Sequence, residues 1–198
     1  MRTSIYYLCY SSIPLVPVGM FLAVFAGDPR WQILGASLTA IALVTAYAFF
    51  LERRWLRTTH INLGKGWDMP VVVISDQHLG VYKGAEYMEK VVARINALDN
   101  IEAVVLAGDL TYFPQDLERE HAPLADIVHP TYAVLGNHDV VQSGNISHAP
   151  DLHPLMERLG VQIIEGRSIQ TESGLYITGL GSHIAGEDDA SILETLDS

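Results

Sequence analysis

Apolar positions along this chain follow two regimes. Ile5 to Ala26 and Trp31 to Leu51 carry no charged residue. Each run is about 20 residues long, enough at 1.5 Å per residue to cross a hydrocarbon core of about 30 Å. A core helix keeps one polar face, and neither run has one. The pattern predicts a transmembrane helical hairpin with spans near 5–26 and 31–51, joined by a turn at Gly27-Asp28-Pro29-Arg30. Tyr6, Tyr7, Tyr10, Trp31 and Trp55 sit near the ends of the runs, where amphipathic rings prefer to lie. Arg2 precedes the first run, and Arg53, Arg54, Arg57 and Lys65 follow the second. The positive-inside bias then places both ends, and everything beyond them, in the cytoplasm. The expectation is a multi-pass protein of the cell membrane with the lipid bilayer as a partner.

The second regime starts after a linker over 53–68 and fills 69–198. Short β-branched runs alternate here with amphipathic ones. "PVVVIS", "IEAVVLAG" and "TYAVLG" read as strands buried on both faces of a parallel sheet. Between them "AEYMEKVVARINAL" places Met88, Val91, Val92, Ile95 and Leu98 at helical spacing, and "QDLEREHAPLADIV" is a helix broken near Pro123. "DLHPLMERLG" is a helix ended by Gly160; "VQIIE", "SIQTE" and "LYITGL" are three strands, the last two a hairpin around "SG", and "DDASILETL" is a last helix. Strand–helix alternation implies an α/β layered domain.

Composition narrows the partners. The net charge is −11, and the basic residues cluster beside the uncharged runs. Nucleic acid, which needs a cationic face, is excluded as a partner. One cysteine, Cys9, permits no intrachain disulfide and no structural zinc site of thiolates.

The three buried strands all end in ligand-type residues: Asp76 and His78 after the first, Asp109 after the second, and Asn137, His138 and Asp139 after the third. Sites in open α/β sheets form at the carboxyl ends of strands, so these groups should converge. Asp76 and His78 are two apart, which in extended chain points both to one side. Crowded carboxylates repel unless a cation is present, and no lysine or arginine lies within four residues of Asp76, Asp109 or Asn137. A divalent ion is the economical counter-charge. Mixed carboxylate, imidazole and amide donors suit Mn²⁺, Fe or Zn²⁺.

The ordered series "DQH" at 76–78, "GD" at 108–109 and "GNHD" at 136–139 resembles the first three motifs of the calcineurin-like metallophosphoesterases. The likeness covers Met69 to about Gly181, and the uncharged N-terminus looks like the bacterial, membrane-anchored branch of that family. It implies a four-layer α/β/β/α sandwich, two divalent metal ions, and hydrolysis of phosphomonoesters, phosphodiesters or pyrophosphates. It also implies roles: Asp76 and His78 on the first metal, Asp109 bridging both, Asn137 on the second, His138 protonating the leaving group or stabilising its developing charge, and Asp139 orienting His138.

The family's later "G-H-x-H" pair does not occur in these 198 residues; His148, His153 and His183 stand in other settings. The expectation is an incomplete sandwich, truncated before the last ligands, with weak or no activity. The alternative function is a membrane-bound metal-binding or interaction protein. A phosphorylated small molecule or, given a tether, a lipid-linked phosphate is the expected substrate.

Overall fold

The computed structural model describes residues 13–64, 69–80, 83–140, 147–186 and 188–196. The chain divides into two units, Met1–His60 and Ile61–Ser198.

In the first unit Asp28 decides where helices stop and start. It caps helix α2 (Pro29–Ala46), its side chain accepting from the Arg30 amide at 2.8 Å with proline at the helix start, the residue choices that open a helix. Helix α1 (Leu15–Phe25) precedes it. The two approach at Gly19 and Gly35, where a Cβ on Gly35 would lie 2.5 Å from the Gly19 carbonyl oxygen and from the Ala23 nitrogen. Any larger residue at either position forces the helices apart. Beyond Ala46 the ladder widens into a π turn, Tyr47–Leu51, then tightens into a 3-10 turn, Glu52–Arg54.

These boundaries overturn the membrane expectation. Among the described residues no helix is long and apolar enough to cross a membrane. Helix α1 has 11 residues, about 16 Å of rise, roughly half a hydrocarbon core. Helix α2 has 18 residues, but the Asp28 cap places Pro29, Arg30 and Gln32 in its first turn, so its apolar stretch starts a turn late. The transmembrane hairpin is therefore not supported. The multi-pass cell-membrane placement falls with it, and the cytoplasmic orientation loses the spans it was read from. The beginning of the first expected span, residues 5–12, lies outside the described residues.

The second unit is built on four parallel strands, β1 (Val71–Ile74), β3 (Ala103–Ala107), β5 (Thr131–Val134) and β6 (Val161–Ile163), in the order β1-β3-β5-β6. Register pairs Val73 with Val105 and Val105 with Tyr132. Short strands β2 (Leu79–Gly80) and β4 (Thr111–Tyr112) pair in parallel just beyond the ends of β1 and β3. Val104, Leu106 and Ala133 are wholly buried, as the continuous apolar runs require of a parallel sheet covered by helices.

Helix α3 (Ala85–Asn96) buries Met88, Val91, Val92 and Ile95, the stripe visible at spacings of three and four. Helix α4 (Leu117–His121) gives way to a 3-10 turn, Ala122–Asp126, at Pro123, where the missing N–H ends the α ladder. The single turn α5 (Asn137–Val140) leads on toward helix α6 (Ala149–Arg158), which buries Leu152, Leu155 and Met156. Strands β7 (Arg167–Gln170) and β8 (Tyr176–Gly179) form the expected antiparallel hairpin. The tail Ala190–Leu196 is a 3-10 run, not the α-helix expected there.

Candidate metal centre

Because β1, β3 and β5 are neighbours in the sheet, the loops at their carboxyl ends are neighbours too. Backbone hydrogen bonds join the first two. The Asp76 amide donates to the Gly108 carbonyl at 3.2 Å, His78 to the Asp109 carbonyl at 2.9 Å, and Leu79 to the Leu110 carbonyl at 2.9 Å. The third loop is tied in by the His138 amide, which donates to the Asp109 carboxylate at 3.0 Å. Gly136 makes that approach possible, since a Cβ there would overlap the Asp109 carboxylate and amide.

The loops are strained where they carry ligands. Asp76, His78 and Asp109 have φ of 56°, 48° and 53°, as does Phe113 at 49° on the same surface loop system. The left-handed region costs an L-residue about 1–2 kcal/mol, a cost that concentrates at functional sites. The 76–78 segment is thus not the extended chain expected of it, yet both side chains still reach one place.

Asp76, His78 and Asp109 each offer a ligand atom, all within 4.8 Å of one another. His78 Nε2 lies 3.7 Å from Asp76 Oδ1 and 3.6 Å from Asp109 Oδ2, too far for hydrogen bonds. Around an ion with bonds of about 2.1 Å, atoms at this spacing subtend about 120°. Two carboxylates and one imidazole therefore suit a divalent cation in donor type, and the two spacings from His78 suit a shared ion. Burial, ahead of the opposing pull of Asp109, holds His78 below the ordinary histidine value. That favours the neutral ring a metal ligand needs. Its Nδ1 is buried with no hydrogen-bond partner among the described residues.

His78, Tyr112 and His138 pack edge to face, with centroids 5.1–5.4 Å apart. Asp139 is fully buried. One of its oxygens accepts from the Leu110 and Gly136 amides at 3.0 and 2.8 Å; the other accepts from the Thr111 amide and hydroxyl at 2.8 and 2.9 Å. Four bonds fill the acceptor capacity of a carboxylate, and they bind the loop after β3 to the loop after β5. Beside it His121 is also fully buried, its Nδ1 donating to the Leu117 carbonyl at 2.7 Å. Desolvation pulls His121 below the ordinary histidine value, against the Leu117 carbonyl and Asp139.

A cleft of about 400 Å³ is lined by Asp76, Asp109, Asn137, Leu180, His183 and Ile184, among others. Of the six expected site residues, the structure gathers Asp76, His78 and Asp109 as one ligand group and puts Asn137 on the same cleft wall. His138 stands beside His78, and Asp139 lies beneath the loops. Sequence reasoning missed Lys83, whose Nζ reaches the Asp76 carbonyl at 3.4 Å and lies 4.8 Å from the Tyr87 ring. It also missed Tyr112, for which the aromatic pair directly after "GDLT" was the available signal.

Acidic and imidazole donors collected at the strand ends of a parallel sheet define an α/β domain with a candidate metal site. The profile of the calcineurin-like phosphoesterases matches residues 69–187, and the chain belongs to that family, whose members are in general metal-dependent phosphoester hydrolases. No curated protein and no solved structure matches the chain.

Proposed function

We propose that the second unit hydrolyses phosphoester or pyrophosphate bonds of a phosphorylated small molecule, using two divalent ions drawn from Mn, Fe or Zn. Asp76, His78 and Asp109 would hold the first ion, and Asp109 with Asn137 would hold the second. Bound there, the ions would supply counter-charge for the phosphoryl oxygens and acidity for a water nucleophile. His138 delivers a proton to the leaving group; its backbone amide, bonded to Asp109 at 3.0 Å, fixes its distance from the ligands. Asp139 is a positioning residue. Its carboxylate is taken up by the Leu110, Thr111 and Gly136 donors, so it acts on His138 by holding the turn that carries it.

The observation that supports this reading is the meeting of three ligand atoms within 4.8 Å, contributed by loops from two adjacent strands. Weak turnover of an aryl phosphate by these 198 residues, abolished by a chelator and restored by Mn²⁺, is the expected result. No turnover with Mn²⁺, Fe²⁺ or Zn²⁺, or turnover indifferent to chelation, would contradict it.

A further inference from the structure

An imidazole that ligates a metal is normally aimed by a hydrogen bond from its second ring nitrogen. Among the described residues His78 has no such bond: its Nδ1 is buried without a partner, while Nε2 lies 3.7 and 3.6 Å from the Asp76 and Asp109 carboxylates. Packing limits its rotation instead. The Tyr112 ring meets the His78 ring at 5.4 Å between centroids and 84° between planes, and the His138 ring at 5.1 Å and 77°. The two imidazoles meet each other at 5.1 Å and 71°. These are edge-to-face contacts, and together they close a triangle in which neither imidazole can turn toward Tyr112 without striking it.

Tyr112 is itself tied to all three loops that carry the site. It pairs with Gly80 in the short β2–β4 ladder, beyond the Asp76–His78 loop. A Cβ on Gly80 would overlap the Tyr112 carbonyl oxygen, so the two backbones are pressed together. The preceding residue, Thr111, follows the Asp109 loop and donates through its amide and hydroxyl to Asp139 at 2.8 and 2.9 Å. Phe113 packs on the Tyr112 ring at 5.0 Å and 88°. Tyr112 is buried at the edge of the core.

We propose that Tyr112 is a positioning residue whose ring, wedged against both imidazoles, sets the orientation of His78 as a ligand and of His138 as the proton donor. The ring does this, not the hydroxyl. The two histidine roles rest on the phosphoesterase reading.

The test compares Tyr112→Leu, which removes the ring, with Tyr112→Phe, which keeps it, in the full chain. Tyr112→Leu should weaken Mn²⁺ binding, measured calorimetrically, about 10-fold, as expected when an outer partner of a metal-bound histidine is lost. At saturating Mn²⁺ it should lower kcat for an aryl phosphate about 10-fold with KM within about twofold. Tyr112→Phe should restore both to within about threefold of wild type. A Tyr112→Leu chain that is less stable but keeps wild-type Mn²⁺ affinity and kcat overturns the proposal, by making Tyr112 a packing residue alone. Tyr112→Phe losing as much as Tyr112→Leu also overturns it, by moving the effect to the hydroxyl. Should Tyr112→Leu not fold, NMR of the metal-free wild type decides: nuclear Overhauser contacts from the Tyr112 ring to both imidazoles are expected, unchanged in Tyr112→Phe, and their absence overturns the proposal. Failure of the phosphoesterase reading shows separately, as a wild type that has these contacts yet binds no Mn²⁺ and turns over no aryl phosphate.

Discussion

Gly35 in the N-terminal helices and Gly136 in the α/β unit are both packed too closely for a side chain. The first lets two apolar helices approach at the Gly19 carbonyl, and what gathers there is backbone and the Leu22 Cβ. The second lets one loop press on the Asp109 carboxylate, and what gathers there is charge. Close approach of apolar surfaces needs nothing further. Close approach of Asp76 and Asp109 leaves like charges in a partly desolvated cleft, and a cation relieves them. The same backbone device is packing in one unit and chemistry in the other.

That contrast can be broken at several points, the largest effect first. Asp109→Asn keeps an acceptor for the His138 amide but removes the charge shared between the ions; turnover of an aryl phosphate should fall at least about 100-fold, with metal affinity falling alongside. If turnover survives, the loop contact is packing after all. Asp139→Ala leaves the Leu110, Thr111 and Gly136 amides without their acceptor, and denaturant unfolding should show a loss of about 3 kcal/mol or more. Gly35→Val should cost about 1–3 kcal/mol through overpacking in the first unit while metal content of the second stays at the wild-type level.

The smallest effect is a pH slope. His121 has its folded-state value lowered, mainly by burial, so between that value and about 6.5 the unfolded chain binds the proton that the folded chain refuses. Stability is then retained above about pH 6.5 and lost as pH falls below it, at no more than about 1.4 kcal/mol per pH unit. His121→Leu should flatten that part of the unfolding profile, read from denaturant midpoints at pH 7.5, 6.5 and 5.5.

The strands were legible because "PVVVIS", "IEAVVLAG" and "TYAVLG" are uninterrupted apolar runs, although β1 is the edge strand and leaves Val73 exposed instead of buried on both faces. Helix α3 was legible from Met88, Val91, Val92 and Ile95, whose spacing admits one buried face. The meeting of Asp76, His78 and Asp109 could be read from one rule, that adjacent parallel strands share an end. The N-terminal helices misled because an uncharged run measures composition, whereas helix ends are set by caps; Asp28 and Pro29 begin α2 on Arg30 and Gln32. Left-handed φ at Asp76 and His78 was hidden, since neither is glycine. Lys83 and the His183–Asp188 pair depend on loop paths, and nothing in local spacing reports those. The carboxylate of Asp139 is spent on backbone amides from another loop, a partner choice that no pattern in "GNHD" discloses.

The loops after β1 and β3 bring Asp76, His78 and Asp109 together as a candidate cation site. Crystals of the full chain soaked in Mn²⁺ and measured at the metal's absorption edge test it directly. Anomalous density about 2.1 Å from a carboxylate oxygen of Asp109, with Asp76 and His78 completing its surroundings, is the expected result. Crystals that take up Mn²⁺ elsewhere, or not at all between these three side chains, would contradict the account.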